Sequence, residues 1–379
     1  MADPREDLFP DTYIGGGFSD PVAEPPGPVA EPLAPAGPVA ETAAFAGPVA
    51  GPPAPAGPAA EPPAPAAPGR RPRCLRRGDL LLCAAAAVTG SLLLGHSLVP
   101  DVPGNPGGLL ETVLPWSGLA VPVLLLVALA RWSVPAVVAA LLLGAVWAAS
   151  FAPLFLGGPE GAEPDLTVVT HNVDAANPHP AATARTLLAA DPDLVALEEV
   201  TDEALPAYRK ELDGRLPHSV HIGTVALWSR YPLAEVRRVT IDPGWSRSLR
   251  ALVRGPNGPL AVYVVHLPSV RVGAYGFATA RRDETLTALA SALDDERQRR
   301  ILLLGDLNGT AADRGLAPLM SRLAPVGGRA GGGFGFSWPA AFPLARIDHI
   351  LTRGLTPVEA WTLPATGSDH RPVAAGLRM

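Results

Sequence analysis

Three apolar runs, Leu80 to about Val99, Val113–Ala130 and Val134–Phe155, contain no acidic or basic residue. A helix needs ~20 apolar residues to cross the hydrocarbon core of a bilayer. No water is available there to satisfy a peptide group, so such a segment must close its hydrogen bonds internally, as a helix. The first and third runs approach that length, and the middle one is slightly short but can extend into its flanks. We therefore expect three transmembrane helices over residues 70–156. The alternative is a signal anchor followed by a buried helical hairpin.

Basic residues set the expected orientation. Arg70, Arg71, Arg73, Arg76 and Arg77 precede the first run, Arg131 separates the second from the third, and the segment between the first and second carries no Lys or Arg. The positive-inside rule then places the N-terminal tail in the cytoplasm and residues 157–379 outside, in a multi-pass protein of the cell membrane. The tail, residues 1–69, is too long and too acidic for the n-region of a signal peptide. It repeats every ten residues, with Gly-Pro-Val-Ala-Glu at 27–31 and 37–41, Gly-Pro-Val-Ala-Gly at 47–51 and Gly-Pro-Ala-Ala-Glu at 57–61. Each Pro removes a backbone donor, and Ala and Gly bury too little apolar area to offset the entropy of ordering. A disordered, polyproline-like spacer is expected, with peptide binding as the alternative.

Residues 157–379 alternate short apolar runs with helical patterns. Strands are expected at Leu166–His171, Leu194–Leu197, Ala226–Ser229, Ala261–His266, Ile301–Gly305 and Ile347–Leu351, and helices near 180–190, 202–212, 277–296 and 311–322. This is the pattern of an α/β domain, in which polar residues at strand ends build sites. The chain has two cysteines, Cys74 and Cys83, so this region can hold neither a disulfide framework nor a Cys-ligated zinc. Its 24 acidic and 23 basic residues nearly cancel. That balance argues against a broad basic face for nucleic acid, though not against a local patch.

Five strand-end motifs carry the chemistry. Leu166–Val173 ends a strand with Asn172, and Asp193–Val200 ends one with Glu198 and Glu199. Leu302–Gly309 follows an apolar strand with Asp306 and Asn308. Arg346–Leu351 sets Asp348 beside apolar residues, and Gly367–Val373 contains Asp369 and His370. These are hard oxygen ligands and a histidine, a set better suited to Mg²⁺ or Mn²⁺ than to zinc. Such an ion can bridge phosphate oxygens as a P–O bond breaks. Each motif alone also has a structural reading. Asp306 can be a turn residue, Glu199 can open the next helix through the dipole, and an Asp–His pair is more often structural than catalytic.

Taken in order, the motifs resemble the endonuclease/exonuclease/phosphatase superfamily, which includes DNase I-like nucleases, inositol polyphosphate phosphatases and neutral sphingomyelinases. The superfamily pattern of Asn, Leu-Gln-Glu, Gly-Asp-Leu-Asn, Ile-Asp and Ser-Asp-His covers nearly all of residues 165–377. One departure is Glu198, where many members have Gln. The resemblance implies two packed β-sheets flanked by helices, a DNase I-like four-layer sandwich. It implies Glu199 as principal metal ligand, Asn172 beside the same ion, and Asp369 completing that site or a second one. Asp306 would orient or deprotonate the attacking water, and Asn308 would hold the phosphoryl group. His370 would contact the phosphate and be oriented by Asp348, and His266 would stabilise the phosphate or leaving group. Asp174 reads as a solvated loop residue and His171 and His349 as structural, since they alternate to the opposite strand face. The segment Ser229-Arg230-Tyr231-Pro232 resembles a recurrent family turn, and Trp338 fits either the cleft border or the core.

Three spans ahead of such a domain resemble the VanJ-type proteins linked to teicoplanin resistance. That resemblance implies a membrane-anchored hydrolase of polyprenyl phosphate or pyrophosphate lipid carriers, with a phosphorylated small molecule or lipid headgroup as ligand. One alternative is a surface-anchored nuclease, which predicts an arginine stripe drawn from Arg247, Arg250, Arg254, Arg281 and Arg282. The other is a non-catalytic membrane sensor or scaffold.

Overall fold

The computed structural model describes residues 77–379 except 101, 103, 158–162, 242–243, 245, 274–275 and 329, and the side chains of 271–277 also lie outside it. The expected disordered repeat tail and the arginines Arg70 to Arg76 fall outside the described residues. Among the described residues, three helical segments are long and apolar enough to cross a membrane: Arg77–Leu98, Pro106–Ala130 and Val134–Leu154. The first is α1 (Arg77–Gly95) with a 3-10 turn over His96–Leu98. The second joins α2 (Pro106–Val113) to α3 (Ala120–Ala130) through a 3-10 stretch at Leu114–Leu119. It extends the middle run on its N-terminal side, where Pro106 at the first helical turn costs no hydrogen bond. The third is α4 (Val134–Phe151), again with a terminal 3-10 turn, Ala152–Leu154. At one end of this bundle Arg131 Nε donates to Asp79 Oδ1 at 3.3 Å.

The remainder contains β1 (Leu166–Asn172), α5 (Pro180–Leu188), β2 (Leu194–Glu198), α6 (Leu205–Leu212), β3 (His218–Ile222), β4 (Val225–Ser229), β5 (Leu233–Arg238) and β6 (Ser248–Gly255). There follow β7 (Gly258–Val265), β8 (Arg271–Gly273), β9 (Gly276–Ala278), α7 (Ala280–Asp294), β10 (Ile301–Asp306), α8 (Ala317–Met320), β11 (Ala324–Pro325), β12 (Asp348–Arg353), β13 (Thr356–Thr362) and β14 (Val373–Arg378). One sheet has the order β13-β14-β1-β2-β4-β3 and the other β11-β12-β10-β7-β6-β5.

The two sheets pack face to face. Val168, Ala196 and Ala375 of the first meet Leu249, Leu302 and Ile350 of the second in one buried cluster. The opposite face of the first sheet packs Val169 and Leu197 against Leu187 of α5 and Tyr208 of α6. On the second, Val265 and Leu303 pack against Leu286 and Leu289 of α7. Both faces of each central strand are therefore apolar, which is why these strands read as continuous runs rather than alternating patterns. The result is the helix–sheet–sheet–helix sandwich expected from the sequence.

All six expected strands are present, as β1, β2, β4, β7, β10 and β12. The helix expected over 311–322 is reduced to a 3-10 turn at Arg314–Leu316 and the single turn of α8. Eight strands went unread, including β14, whose Ala-Ala-Gly centre lacks β-branched residues although it lies buried between β1 and β13.

Candidate active site

The central pair of each sheet is parallel, β1 with β2 and β7 with β10. Their C-terminal ends carry Asn172, Glu198, His266 and Asp306. Antiparallel neighbours then return residues to the same end. Asp348 opens β12 directly opposite Asp306, and His370 lies just before β14, which pairs with β1. Gly305 makes the close approach possible, since it has φ +149° and a Cβ there would collide with the Val265 carbonyl. Glu199 and Asn308 turn the chain with φ +62° and +48°, strained values for side-chain-bearing residues that aim both groups off the strand ends.

Asn172 sits between the sheets. Its Nδ2 donates to Glu199 Oε1 and to Asp306 Oδ2, each at 3.1 Å, while its Oδ1 accepts from the Asp174 N–H. His266 Nε2 lies 3.7 Å from each of the same two carboxylate oxygens. Asn308 donates its backbone N–H to Asp306 Oδ1 at 2.8 Å and its amide to Leu267 O at 2.9 Å. His370 Nδ1 donates to Asp348 Oδ2 at 2.8 Å, and its Nε2 is 3.9 Å from Asp306 Oδ2. Seven of the eight residues singled out from the sequence thus form one continuous cluster. Asp369 stands at its rim, half exposed, with Oδ1 3.8 Å from His370 Nε2 and Oδ2 accepting from Trp338 Nε1 at 3.1 Å. Its contacts are with His370 and Trp338 rather than with Glu199 or Asn172. Trp338 therefore borders the site and is not core.

The electrostatics separate these groups. Burial works against a charged His370, but Asp348, first by charge and then by hydrogen bond, outweighs it and raises the imidazole to about 10. Burial likewise opposes ionisation of Asp348, and His370 overcomes it and holds that carboxyl below its ordinary range. Burial raises Asp306 to about 7 despite His370 nearby. His266 is pushed down by burial to about 4, so its ring is neutral at neutral pH. Burial raises Glu199, yet the net displacement is downward. With the neighbouring His266 neutral, we attribute this to the Asn172 amide and the Ala175 N–H, which hydrogen-bond the charged form.

Glu198 is the departure noted in the sequence, and its surroundings make chemical sense of it. It is fully buried, Thr170 Oγ1 donates to its Oε1 at 3.0 Å, and Oε2 has no partner. Burial, then the charge of Asp348, raises its carboxyl well above the ordinary value. A protonated glutamic acid carries no charge and has nearly the shape of glutamine, the residue common at this place in the superfamily it resembles.

The donor chemistry suits a hard divalent cation. Glu199 and Asp306 present oxygens converging on one amide, and His266 Nε2 is buried between them without a hydrogen-bond partner. Ligand-type atoms of Asp306, Asp348 and His370 also lie within 4.8 Å of one another. In that trio Asp348 is already hydrogen-bonded to a protonated His370, so an ion there would compete with the imidazolium. Asn172 can serve as a ligand only if its amide turns to present oxygen, because as placed its NH₂ faces the carboxylates; the two ends of an amide are nearly isosteric.

His171 bonds Thr366 Oγ1 and His349 bonds Gly309 O, and burial lowers their pKa values to about 3 and 4, so both are neutral packing groups. Asp174 closes a turn by accepting from the Ala176 N–H. Ser229 exchanges hydrogen bonds with the Tyr231 backbone and makes the expected turn. Of the arginines offered as a nucleic-acid stripe, Arg250 and Arg282 are buried, paired with Glu296 and Asp313. Sequence reasoning missed Glu111 and Arg314. Glu111 is a lone acid two residues ahead of an apolar run, and that isolation was its only signal.

Solved structures similar to the chain include sphingomyelinase C from Streptomyces griseocarneus, at 21% identity over 56% of this chain and 99% of that one, with a TM-score of 0.44. An endonuclease/exonuclease/phosphatase from Beutenbergia cavernae DSM 12333 is 21% identical over 57% and 72% of the two chains, with a TM-score of 0.45. A humanized D. rerio TDP2 with 14 mutations is 19% identical over 56% and 99%, with a TM-score of 0.47. No curated protein matches the chain. The model of the endonuclease/exonuclease/phosphatase family matches residues 169–370, from within β1 to His370. That span is over half of the residues and holds every member of the cluster, and the chain belongs to this family of phosphoester hydrolases.

Proposed function

We propose that the protein is a membrane-anchored, metal-dependent phosphoester hydrolase acting at the extracytoplasmic face on a phosphorylated lipid headgroup. The polyprenyl pyrophosphate carrier of cell-wall synthesis, the substrate implied by the VanJ-type resemblance, is the specific candidate. The observation that carries this reading is the fastening of the active-site loop to the membrane-length helices. Arg314, in the loop that begins with Asp306 and Asn308, binds Glu111 of α2 and the carbonyls of His96 and Val99 after α1. A catalytic centre held at the ends of membrane helices faces the headgroup layer, where a long-chain lipid phosphate is presented. The loop between the first two spans and the C-terminus of the third both adjoin the domain, as three successive crossings require.

In this reading Glu199 would hold Mg²⁺ or Mn²⁺, with Asn172 beside it, and Asp369 at the rim would reach it only by leaving Trp338. The ion, when bound, supplies charge neutralisation for the phosphate oxygens. Asp306 orients the attacking water and takes its proton. Asn308 positions the phosphoryl group through its amide. His370, kept protonated by Asp348, donates from Nε2 to a phosphate oxygen, a charge-assisted hydrogen bond. His266, neutral and unpartnered, steadies the phosphate or leaving group. Burial of Arg250 and Arg282 in ion pairs removes two members of the stripe a nuclease would need.

Full-length protein in detergent with Mg²⁺ should release phosphate from undecaprenyl pyrophosphate and leave single- and double-stranded DNA intact, with Asp306→Ala as the blank. DNA cleavage without phosphate release would make the protein a tethered nuclease and remove the lipid reading.

A further inference from the structure

A cavity of about 300 Å³ lies between the membrane-length helices and the catalytic domain, lined by none of the residues of the cluster described above but next to it, with Arg346 and His349 on either side of Asp348 in the chain. Leu114, Phe151 and Leu154 of the helices and Phe334 and Phe336 of the β11–β12 loop form its apolar wall, and Arg346 lines it. The Arg346 Nε is buried without a partner, and the guanidinium makes no hydrogen bond or ion pair among the described residues. It lies against Gly327 and Gly335, where a Cβ would meet it, so the glycines of this loop clear the space it occupies. Burial lowers its pKa to about 10, with Asp348 opposing.

The other titratable groups around the cavity are already committed. Glu111 is held by Arg314 and His96, and His349 is neutral and bonded to Gly309 O. The cavity thus carries, beside an apolar wall, a partly buried guanidinium whose Nε has no hydrogen-bond partner. A desolvated donor without a partner is costly, which points to an anionic acceptor. Its position indicates the source. Trp116, near the start of the second apolar run, stacks on Phe336, and Trp147, in the last two turns of α4, meets Phe334. Tryptophans at helix ends mark the headgroup level of a bilayer.

We propose that this cavity binds the phosphate of a membrane phospholipid, paired with Arg346, with an acyl chain along Phe151, Leu154 and Phe334. The site shares no residue with the catalytic cluster and stands whether or not that cluster hydrolyses a lipid.

The test is native mass spectrometry of full-length protein in detergent titrated with phosphatidylglycerol, with sn-glycerol 1-phosphate as the soluble comparison. Arg346→Gln should weaken lipid retention about tenfold, the effect of losing one charge-assisted bond. Gly328→Leu should do the same by filling the cavity, because a Cβ there meets only Leu154, at ordinary contact distance. Arg346→Lys should retain most of the binding, and together with Gly328→Leu it carries the test if Arg346→Gln does not fold. Undiminished retention in Gly328→Leu, or glycerol phosphate binding as strongly as the lipid, overturns the proposal.

Discussion

Glu111 and Arg314, 203 residues apart, clasp the membrane-length helices to the active-site loop. Arg314 gives its Nε to Glu111 Oε1 and its backbone N–H to Oε2, both at 3.0 Å. Its remaining guanidinium nitrogens reach the His96 and Val99 carbonyls in and after the 3-10 turn that follows α1. Glu111 is buried, so removing it breaks a buried ion pair. Glu111→Leu should cost about 3 kcal/mol of stability. In a double-mutant cycle with Arg314→Met, thermal unfolding in detergent should give a coupling of at least ~1 kcal/mol. Additive losses would show that the two residues are merely adjacent.

Asp306 holds a charge that the fold disfavours. Asp306→Asn should lower turnover by about 10³-fold or more. Its melting temperature should nevertheless equal or exceed that of the wild type, since a desolvated carboxylate facing Asp348 is removed. Glu199→Gln should raise the Mg²⁺ concentration for half-maximal activity by about tenfold or more, and leave folding intact. Wild-type Mg²⁺ dependence in that variant would displace Glu199 from the ion.

The neutral state of Glu198 has a pH signature. Its folded pKa lies above the ordinary 4.5, so the native state binds the proton more tightly than the unfolded chain. The stabilisation is whole below about 4.5 and is lost as pH rises toward the folded value. Glu198→Gln lacks this loss. Its stability relative to wild type, from unfolding midpoints at pH 5 and pH 8, should therefore increase with pH. A pH-independent difference would mean that Glu198 ionises normally.

His370 behaves in the same sense at higher pH. Its pKa rises from 6.5 to about 10 on folding. The stabilisation is complete below about 6.5 and is lost as pH rises through about 10. Asp348→Asn removes the chief partner, so metal-free protein followed by thermal unfolding should begin to lose this contribution at lower pH. An unchanged pH profile would separate His370 from Asp348.

Orientation is testable in cells. In a variant with Cys74→Ser, Cys83→Ser and a cysteine replacing Met379, an impermeant maleimide should label intact cells. Labelling only after lysis would reverse the proposed topology.

The local parts of this architecture were legible in the sequence. Uncharged runs long enough to span a bilayer made the three helices legible. Central strands such as Leu302–Leu304 announced themselves through apolar residues buried on both faces, and each was followed by the polar residue that enters the site. Edge strands did not announce themselves. His218–Ile222 and Leu233–Arg238 are partly exposed and polar, and their pairing depends on neighbours distant in the chain. Within the site, residue identities were readable in order along the chain. What only the tertiary structure decided was which charges survive folding and which groups find partners. Glu198 holds its proton more tightly because it is desolvated beside Asp348, and His370 is charged because Asp348 lies 2.8 Å away. Glu111 is paired across 203 residues, while Arg346 is left without an anion. Periodicity is a property of neighbouring residues, whereas desolvation and long-range pairing exist only once the sheets and helices have met.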